Sequence, residues 1–228
     1  MVKSGAGTQT FGDLNTYTGG TTVSGGVLRV TNTSGSATGS GNVFVTDSTI
    51  LGTGVIAPAS GGTVTIGSGG KVSVGDSGDA TGKVLIFTPA SGTLSTTFET
   101  DSTLEVDLFS GAGSGDNSST SSAADRFRWG GSLTIDSGVT LKVNNPNAMT
   151  SFNAGDIWRI LDWTTIIGAS SPTGTFATLD LPTLDVTLDW DISSLYTAGT
   201  IGIVSVPEPS RAVLLLLGSA FFTLRRRR

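Results

Sequence analysis

Residues 63–74 read TVTIGSGGKVSV: two alternating apolar and polar runs, Thr63–Ile66 and Lys71–Val74, joined by the glycine and serine corner Gly67–Gly70. Alternation with a period of two marks a half-buried strand, and glycine supplies the φ > 0 geometry of a tight bend. Outward from this stretch the same unit recurs. Val27–Val30 (VLRV), Val43–Val45 (VFV), Gly54–Ala57 (GVIA) and Lys83–Ile86 (KVLI) are further short β-rich runs, separated by corners such as Ser34–Asn42. The runs at Val43, Thr63 and Lys83 begin 20 residues apart.

A coil of this size cannot bury its own Val, Ile and Leu. Stacking coils at ~4.8 Å closes an apolar column and pairs the backbone groups. The reading is therefore all-β: a right-handed parallel β-helix, or β-solenoid, over residues 1–94, continuing into a β-rich capping module over residues 95–205. Charged residues are only 14% of the chain, as expected where like charges would stack on one another.

In the second half, Thr103–Phe109 places Leu104, Val106 and Leu108 on one face and Glu105, Asp107 and Phe109 on the other. Ser132–Ile135 and Val139–Val143 read as a hairpin about Asp136-Ser137-Gly138. Further strands are expected at Ile157–Trp163, Gly174–Leu179, Val186–Trp190 and Thr200–Val206. Gly111–Ala124 (GAGSGDNSSTSSAA) reads as an exposed low-complexity loop open to proteolytic nicking.

Composition removes most chemistry. The chain has no Cys and no His, so the commonest nucleophile and base pairs and the commonest metal ligands are missing. The chain is read as a non-enzyme without a cofactor. Paired carboxylates are the remaining catalytic option, and Glu99, Asp101, Glu105 and Asp107 form the one tight acidic cluster. A solvated outer face is the leading reading for it. Calcium is the next, since that ion takes oxygen ligands, with Glu105 and Asp107 as candidates and Asp76 and Asp79 in GDSGDATG as a second pair. Trp129, Trp158, Trp163 and Trp190 read as core residues, with an aromatic platform for sugar stacking as the alternative.

The C-terminus reads VPEPS at Val206–Ser210, Arg211, an apolar run AVLLLLGSAFFTL at Ala212–Leu224, and then Arg225, Arg226, Arg227 and Arg228. Pro207 and Pro209 hold their segment extended. The apolar run suits a short hydrophobic helix that enters a bilayer, with the arginines left on the cytoplasmic side. Of 13 basic and 18 acidic residues, five arginines and Glu208 lie in this tail, which leaves the body with 17 acids and 8 bases. A basic surface for nucleic acid is thereby excluded.

This tail resembles the PEP-CTERM sorting signal of exported proteins in Gram-negative bacteria. The resemblance implies that Pro207, Glu208 and Pro209 form the recognition motif of an exosortase-type processing enzyme. It also implies that residues 212–224 contact the membrane and that Arg225–Arg228 form the cytoplasmic stop, the domain 206–228 being the signal. At the other end, AGTQTFGDLNTYTGGTTVSGGVLRV over residues 6–30 is similar to the autotransporter-associated β-strand repeat. Tyr17, Gly19-Gly20, Thr21-Thr22, Gly25-Gly26 and Leu28 carry that likeness. Leu188–Val204 (LDWDISSLYTAGTIGIV) resembles the closing motif before the tag in such proteins, with Trp190, Leu195 and Tyr196 as capping residues.

Both resemblances imply export, tethering at the inner membrane before processing, and then a cell-surface or extracellular place. The function they imply is a structural or adhesin-like envelope protein in contact with exopolysaccharide; a carbohydrate-binding or carbohydrate-active β-helix is the alternative. Met1-Val2-Lys3 runs into Ser4–Gly7 with no apolar leader, so the open reading frame is expected to begin upstream.

Overall fold

In the computed structural model, which describes residues 1–110, 123–166 and 168–207, the alternating runs stack on their counterparts one coil away. The first face is a six-stranded sheet of β1 (Val2–Lys3), β3 (Thr21–Val23), β5 (Val43–Val45), β8 (Gly62–Ile66), β11 (Leu94–Phe98) and β14 (Ser132–Ile135). The second is a seven-stranded sheet of β2 (Thr8–Phe11), β4 (Val27–Val30), β6 (Thr49–Gly52), β9 (Lys71–Val74), β12 (Thr103–Asp107), β15 (Thr140–Asn144) and β18 (Thr178–Asp180). The third holds β7 (Val55–Ile56), β10 (Val84–Phe87), β13 (Arg126–Trp129) and β17 (Leu161–Asp162). The strand pairs within these three sheets are parallel. The chain is thus a three-faced β-solenoid, with no helix among the described residues.

Parallel register keeps equivalent side chains on one side of the sheet, so the apolar positions form ladders. Val23, Val45, Ile66, Phe98 and Ile135 line up inside the first face. Leu28, Ile50, Val72, Leu104 and Leu141 do so inside the second, and Leu85, Phe127 and Leu161 inside the third. All are buried in one continuous cluster. At roughly 1.5–3 kcal/mol for each large aliphatic or aromatic side chain buried, this column is the main source of stability.

The coils widen along the axis. On the first face Val2 stacks on Thr22, Thr21 on Val43 and Val43 on Val64, steps of 20, 22 and 21 residues. Val64 then stacks on Thr96 and Thr96 on Leu133, steps of 32 and 37. The wider coils take in bulkier rungs: Phe127 lies 5.0 Å from Phe87 and 5.7 Å from Phe98, both edge to face, and stacks on Trp129 at 5.8 Å.

Two sequence readings are corrected here. The 20-residue spacing of KVLI from Thr63 is coincidental, because β10 belongs to the third face and the counterpart of β8 is β11, one coil of 32 residues later. The expected hairpin about Gly138 does not form. β14 pairs in parallel with β11, and β15 with β12, on different faces. Alternation and a glycine corner are common to a hairpin and to a solenoid bend. Here Gly138, at φ 89°, turns the chain from one face to the next.

The same three sheets pass residue 94 without a break, and the far end is closed differently. β16 (Ile157–Arg159), β20 (Thr200–Ser205) and β19 (Leu188–Asp191) form an antiparallel sheet in that order. Phe152, Trp158 and Trp190 pack together there with ring centroids 5.8–6.0 Å apart, and Leu195 is fully buried. The expected exposed loop at Gly111–Ala124 falls mostly outside the described residues. Its last two positions differ from the expectation, since Ala123 and Ala124 are buried in the core cluster. The expected hydrophobic helix and arginine tail lie outside the described residues as well.

Candidate functional site: a charged belt on the second face

Along the second face the outward positions stack as regularly as the inward ones. The register sets Arg29, Leu51, Ser73, Glu105, Lys142 and Asp180 in one outward ladder. Thr49, Lys71, Thr103 and Thr140 form the ladder beside it, and Asp107 lies level with Asn144. Alternation on each strand fixes these side chains outward because Leu104 and Val106, or Leu141 and Val143, hold the inward places.

Glu105 is the centre of the belt. Its Oε2 accepts from Lys71 Nζ at 2.8 Å, and its Oε1 accepts from Lys142 Nζ at 3.2 Å and from Asn144 Nδ2 at 2.9 Å. Burial works to raise its pKa, and the hydrogen bonds from Lys71, Asn144 and Lys142 with the Lys71 charge overcome this and hold it at about 2. Asn144 Nδ2 also donates to Asp107 Oδ1 at 2.8 Å. Asp107 is pushed the other way, upward, by burial, against the Asn144 hydrogen bond and with the Glu105 charge adding to the rise.

The second carboxylate pair does not join this centre as a chelate. Asp76 is gripped by both Nε and a terminal nitrogen of Arg29, the former at 2.7 Å, in the two-pronged geometry that suits guanidinium and carboxylate. Asp79 Oδ2 accepts the backbone N–H of Asp76 at 2.8 Å, and its Oδ1 lies 3.7 Å from Lys83 Nζ. Each of the four calcium candidates therefore accepts from nitrogen donors of the protein. Among the described residues no three carboxylates are grouped to hold a metal ion. The acidic cluster read from the sequence also divides in space. Glu99 and Asp101 sit at the corner before β12, where Ser102 Oγ donates to the Glu99 carbonyl at 2.6 Å, and only Glu105 and Asp107 reach the belt.

Sequence reasoning missed the partners. Lys71, Glu105 and Lys142 come together only once the 32- and 37-residue coil lengths are known. Asp125 was missed for the same reason. It is fully buried, accepting the backbone N–H of Lys83 at 2.7 Å and that of Asp107 at 3.2 Å. Burial raises it to about 8, against those two hydrogen bonds and with the charges of Asp107 and Asp79 adding to the rise. On the third face a buried carboxylate is paired with a half-buried arginine, Arg128 Nε donating to Asp162 Oδ2 at 3.0 Å.

The belt borders two adjoining depressions. One, of about 360 Å³, is lined by Lys71, Ser73, Asp76, Glu105, Asp107 and Asn144 among others. The next, of about 380 Å³, is lined by Lys142, Asn144, Asp180, Pro182 and their neighbours. Asn144 belongs to both. Trp129, Trp158 and Trp163 are buried, and the indole N–H groups of Trp129 and Trp158 donate to the carbonyls of Ser170 and Ser110. Half-buried Trp190 donates to Pro182 O at 2.9 Å. Of the sorting motif, Pro207 is exposed at the end of the described residues, and Glu208, Pro209 and Arg225–Arg228 lie outside them.

Fold and belt together define a parallel β-solenoid whose coils are joined outside by ion pairs and inside by apolar ladders. Residues 1–30, which span β1 to β4, match the family model Passenger-associated-transport-repeat, in agreement with the likeness carried by YTGGTTVSGGVLRV. No curated protein matches the chain, and no solved structure does.

Proposed function

We propose that this protein is a non-enzymatic, exported structural or adhesin-like component of the cell envelope, sorted by its C-terminal PEP-CTERM-type signal. The observation that carries the reading is the charged belt. Its polar groups are taken up in bonds between coils, Arg29 to Asp76 and Lys71 to Glu105 to Lys142, which is the use a load-bearing rod makes of charge. The passenger-type repeat at residues 1–30 supports passage out of the cytoplasm. A chain free of cysteine crosses membranes unfolded without disulfides to reshuffle. An exosortase-type enzyme then recognises Pro207, Glu208 and Pro209 and releases the rod to the cell surface or matrix, where exopolysaccharide is its contact.

Mass spectrometry of the mature C-terminus in the native host tests this. The expected product lacks the residues that follow the Pro-Glu-Pro motif, and a Pro207→Ala, Pro209→Ala variant keeps them. A cytoplasmic product with Arg225–Arg228 intact refutes the proposal.

A second reading, carbohydrate binding, is favoured by one observation: the two depressions share Asn144, and Lys71, Glu105, Asn144 and Asp180 on their walls carry hydrogen-bonding groups of the kind glycan hydroxyls meet. Glycan-array binding that is lost in Asn144→Ala supports it; binding unchanged by Asn144→Ala removes the depressions from consideration.

A further inference from the structure

The outward side of the first face differs from the charged belt on the second. The register sets Thr65, Thr97 and Thr134 in one ladder, which the parallel bridge from Thr134 to Thr173 extends by a rung. Two residues back on each strand, Thr63, Ser95 and Ser132 form a second ladder. The strands β8, β11 and β14 thus turn Thr-x-Thr, Ser-x-Thr and Ser-x-Thr outward, while Val64, Thr96 and Leu133 between them are buried. Phe44, 40% exposed, takes the next place on the first ladder and bounds the array.

The hydroxyls of this array are open to an outside partner. Ser132 Oγ donates to Ser95 Oγ at 3.4 Å. Among the described residues no hydrogen bond takes up the side chains of Thr63, Thr65, Thr97 or Thr134. Threonines at the neighbouring corners are engaged, Thr46 and Thr100 donating to the carbonyls of Ser68 and Ser137. The array also carries no charge. The nearest acids in sequence, Asp47, Glu99 and Asp136, follow the ends of the strands.

Spacing and charge together select the ligand. Adjacent strands repeat at about 4.8 Å and residues i and i+2 at about 6.6 Å, so the hydroxyls form a near-rectangular grid. Water molecules joined by tetrahedral hydrogen bonds of about 2.75 Å place next-nearest oxygens ~4.5 Å apart and repeat at ~7.3 Å along the lattice axis. Those are the two repeats of a prism face of ice. Over the three steps from Thr65 to Thr173 the mismatch along the solenoid adds up to about 0.9 Å, a third of one hydrogen bond. Branching at Cβ makes threonine stiff at χ1, so its hydroxyl and methyl are ordered before the ligand arrives. A neutral lattice gives a charged side chain nothing to replace its hydration, and this grid has none to lose. A glycan would seek aromatic faces to stack on, and the aromatic ring here, Phe44, stands at the border.

We propose that the first face, through Thr63, Thr65, Ser95, Thr97, Ser132 and Thr134, holds an ordered layer of water that fits the ice lattice, so that the chain adsorbs to ice.

Ice grown slowly from a cold surface into a solution of the full chain tests this, with the protein measured in the ice and in the remaining liquid. A solute without affinity is pushed into the liquid; the wild type is expected to be enriched in the ice. Thr97→Arg sets bulk and charge in the middle of the grid and is expected to be excluded. Ser95→Arg, at an exposed position, is expected to behave alike and serves if Thr97→Arg fails to fold, as judged by circular dichroism. Val186→Arg, which makes the same change at a site 91% exposed on another part of the molecule, is expected to be enriched like the wild type. Exclusion of the wild type overturns the proposal, and so does entry of folded Ser95→Arg or Thr97→Arg to the wild-type extent. Retention of the wild type on microcrystalline cellulose or chitin but not in ice, lost in the same variants, overturns it in favour of a saccharide surface. None of these results bears on how the chain is sorted.

Discussion

Glu105→Gln tests the belt most directly, because it keeps the side chain's length and one acceptor while removing the charge shared by Lys71 and Lys142. The folded chain holds Glu105 at about 2 against an ordinary 4.5. At 1.36 kcal/mol for each tenfold change, that difference corresponds to ~3 kcal/mol. Lys71 and Lys142 are 41% and 42% exposed, so solvent screening lowers the figure to ~1–2 kcal/mol. The sign is that of a depressed carboxylate: its stabilisation is complete above about pH 4.5 and disappears as the pH falls through about 2. Urea unfolding followed by the fluorescence of the buried Trp129 and Trp158 is the assay. The variant is expected to be less stable than the wild type by ~1–2 kcal/mol at pH 7, with the gap closing near pH 2. A gap equally wide at both pH values, or none at pH 7, refutes the argument, because the first means lost packing and the second means that the lysines gain nothing from Glu105.

Asp125 behaves in the opposite sense. Its folded value of about 8 lies above the ordinary 3.8, so stability falls as the pH climbs from about 4 to about 8 and levels off beyond; Asp125→Asn is expected to flatten that slope in urea midpoints taken at pH 5 and pH 8. Phe127→Ala opens a hole among Phe87, Phe98 and Trp129 and is expected to cost about 3–5 kcal/mol in the same unfolding assay, whereas Ser95→Ala at an exposed position of β11 is nearly neutral. Gly131→Ala combines a positive φ of 78° with a methyl placed 2.1 Å from the Leu94 carbonyl oxygen; a loss of about 2 kcal/mol or more is expected, read as a lower thermal midpoint.

The inward ladders were legible in the sequence because period-two alternation and glycine corners are local signals, and Val27–Val30 or Lys71–Val74 carries them within four residues. Coil membership was not. Lys83–Ile86 matched the spacing of the thin coils and yet belongs to another face, since nine residues, 75–83, separate β9 from β10 where two, 53 and 54, separate β6 from β7. The same insertions hid the belt: Glu105 and Asp107 were visible as a pair on one strand, but the lysines that pair with Glu105 and the asparagine that donates to both carboxylates lie one coil to either side. Asp125 carried no local signal, because its two partners are backbone N–H groups brought to it by the stacking.

Because the strands stack along the axis, their backbone hydrogen bonds lie parallel to it, and a pull between the two ends of the rod loads the coils in series. Under such tension the molecule yields one turn at a time instead of shearing all at once. A narrow coil of about 20 residues releases roughly 70 Å of slack and a wide one of about 37 roughly 120 Å. A stack of this kind lengthens under load in graded steps, with the longer steps held at the broad end.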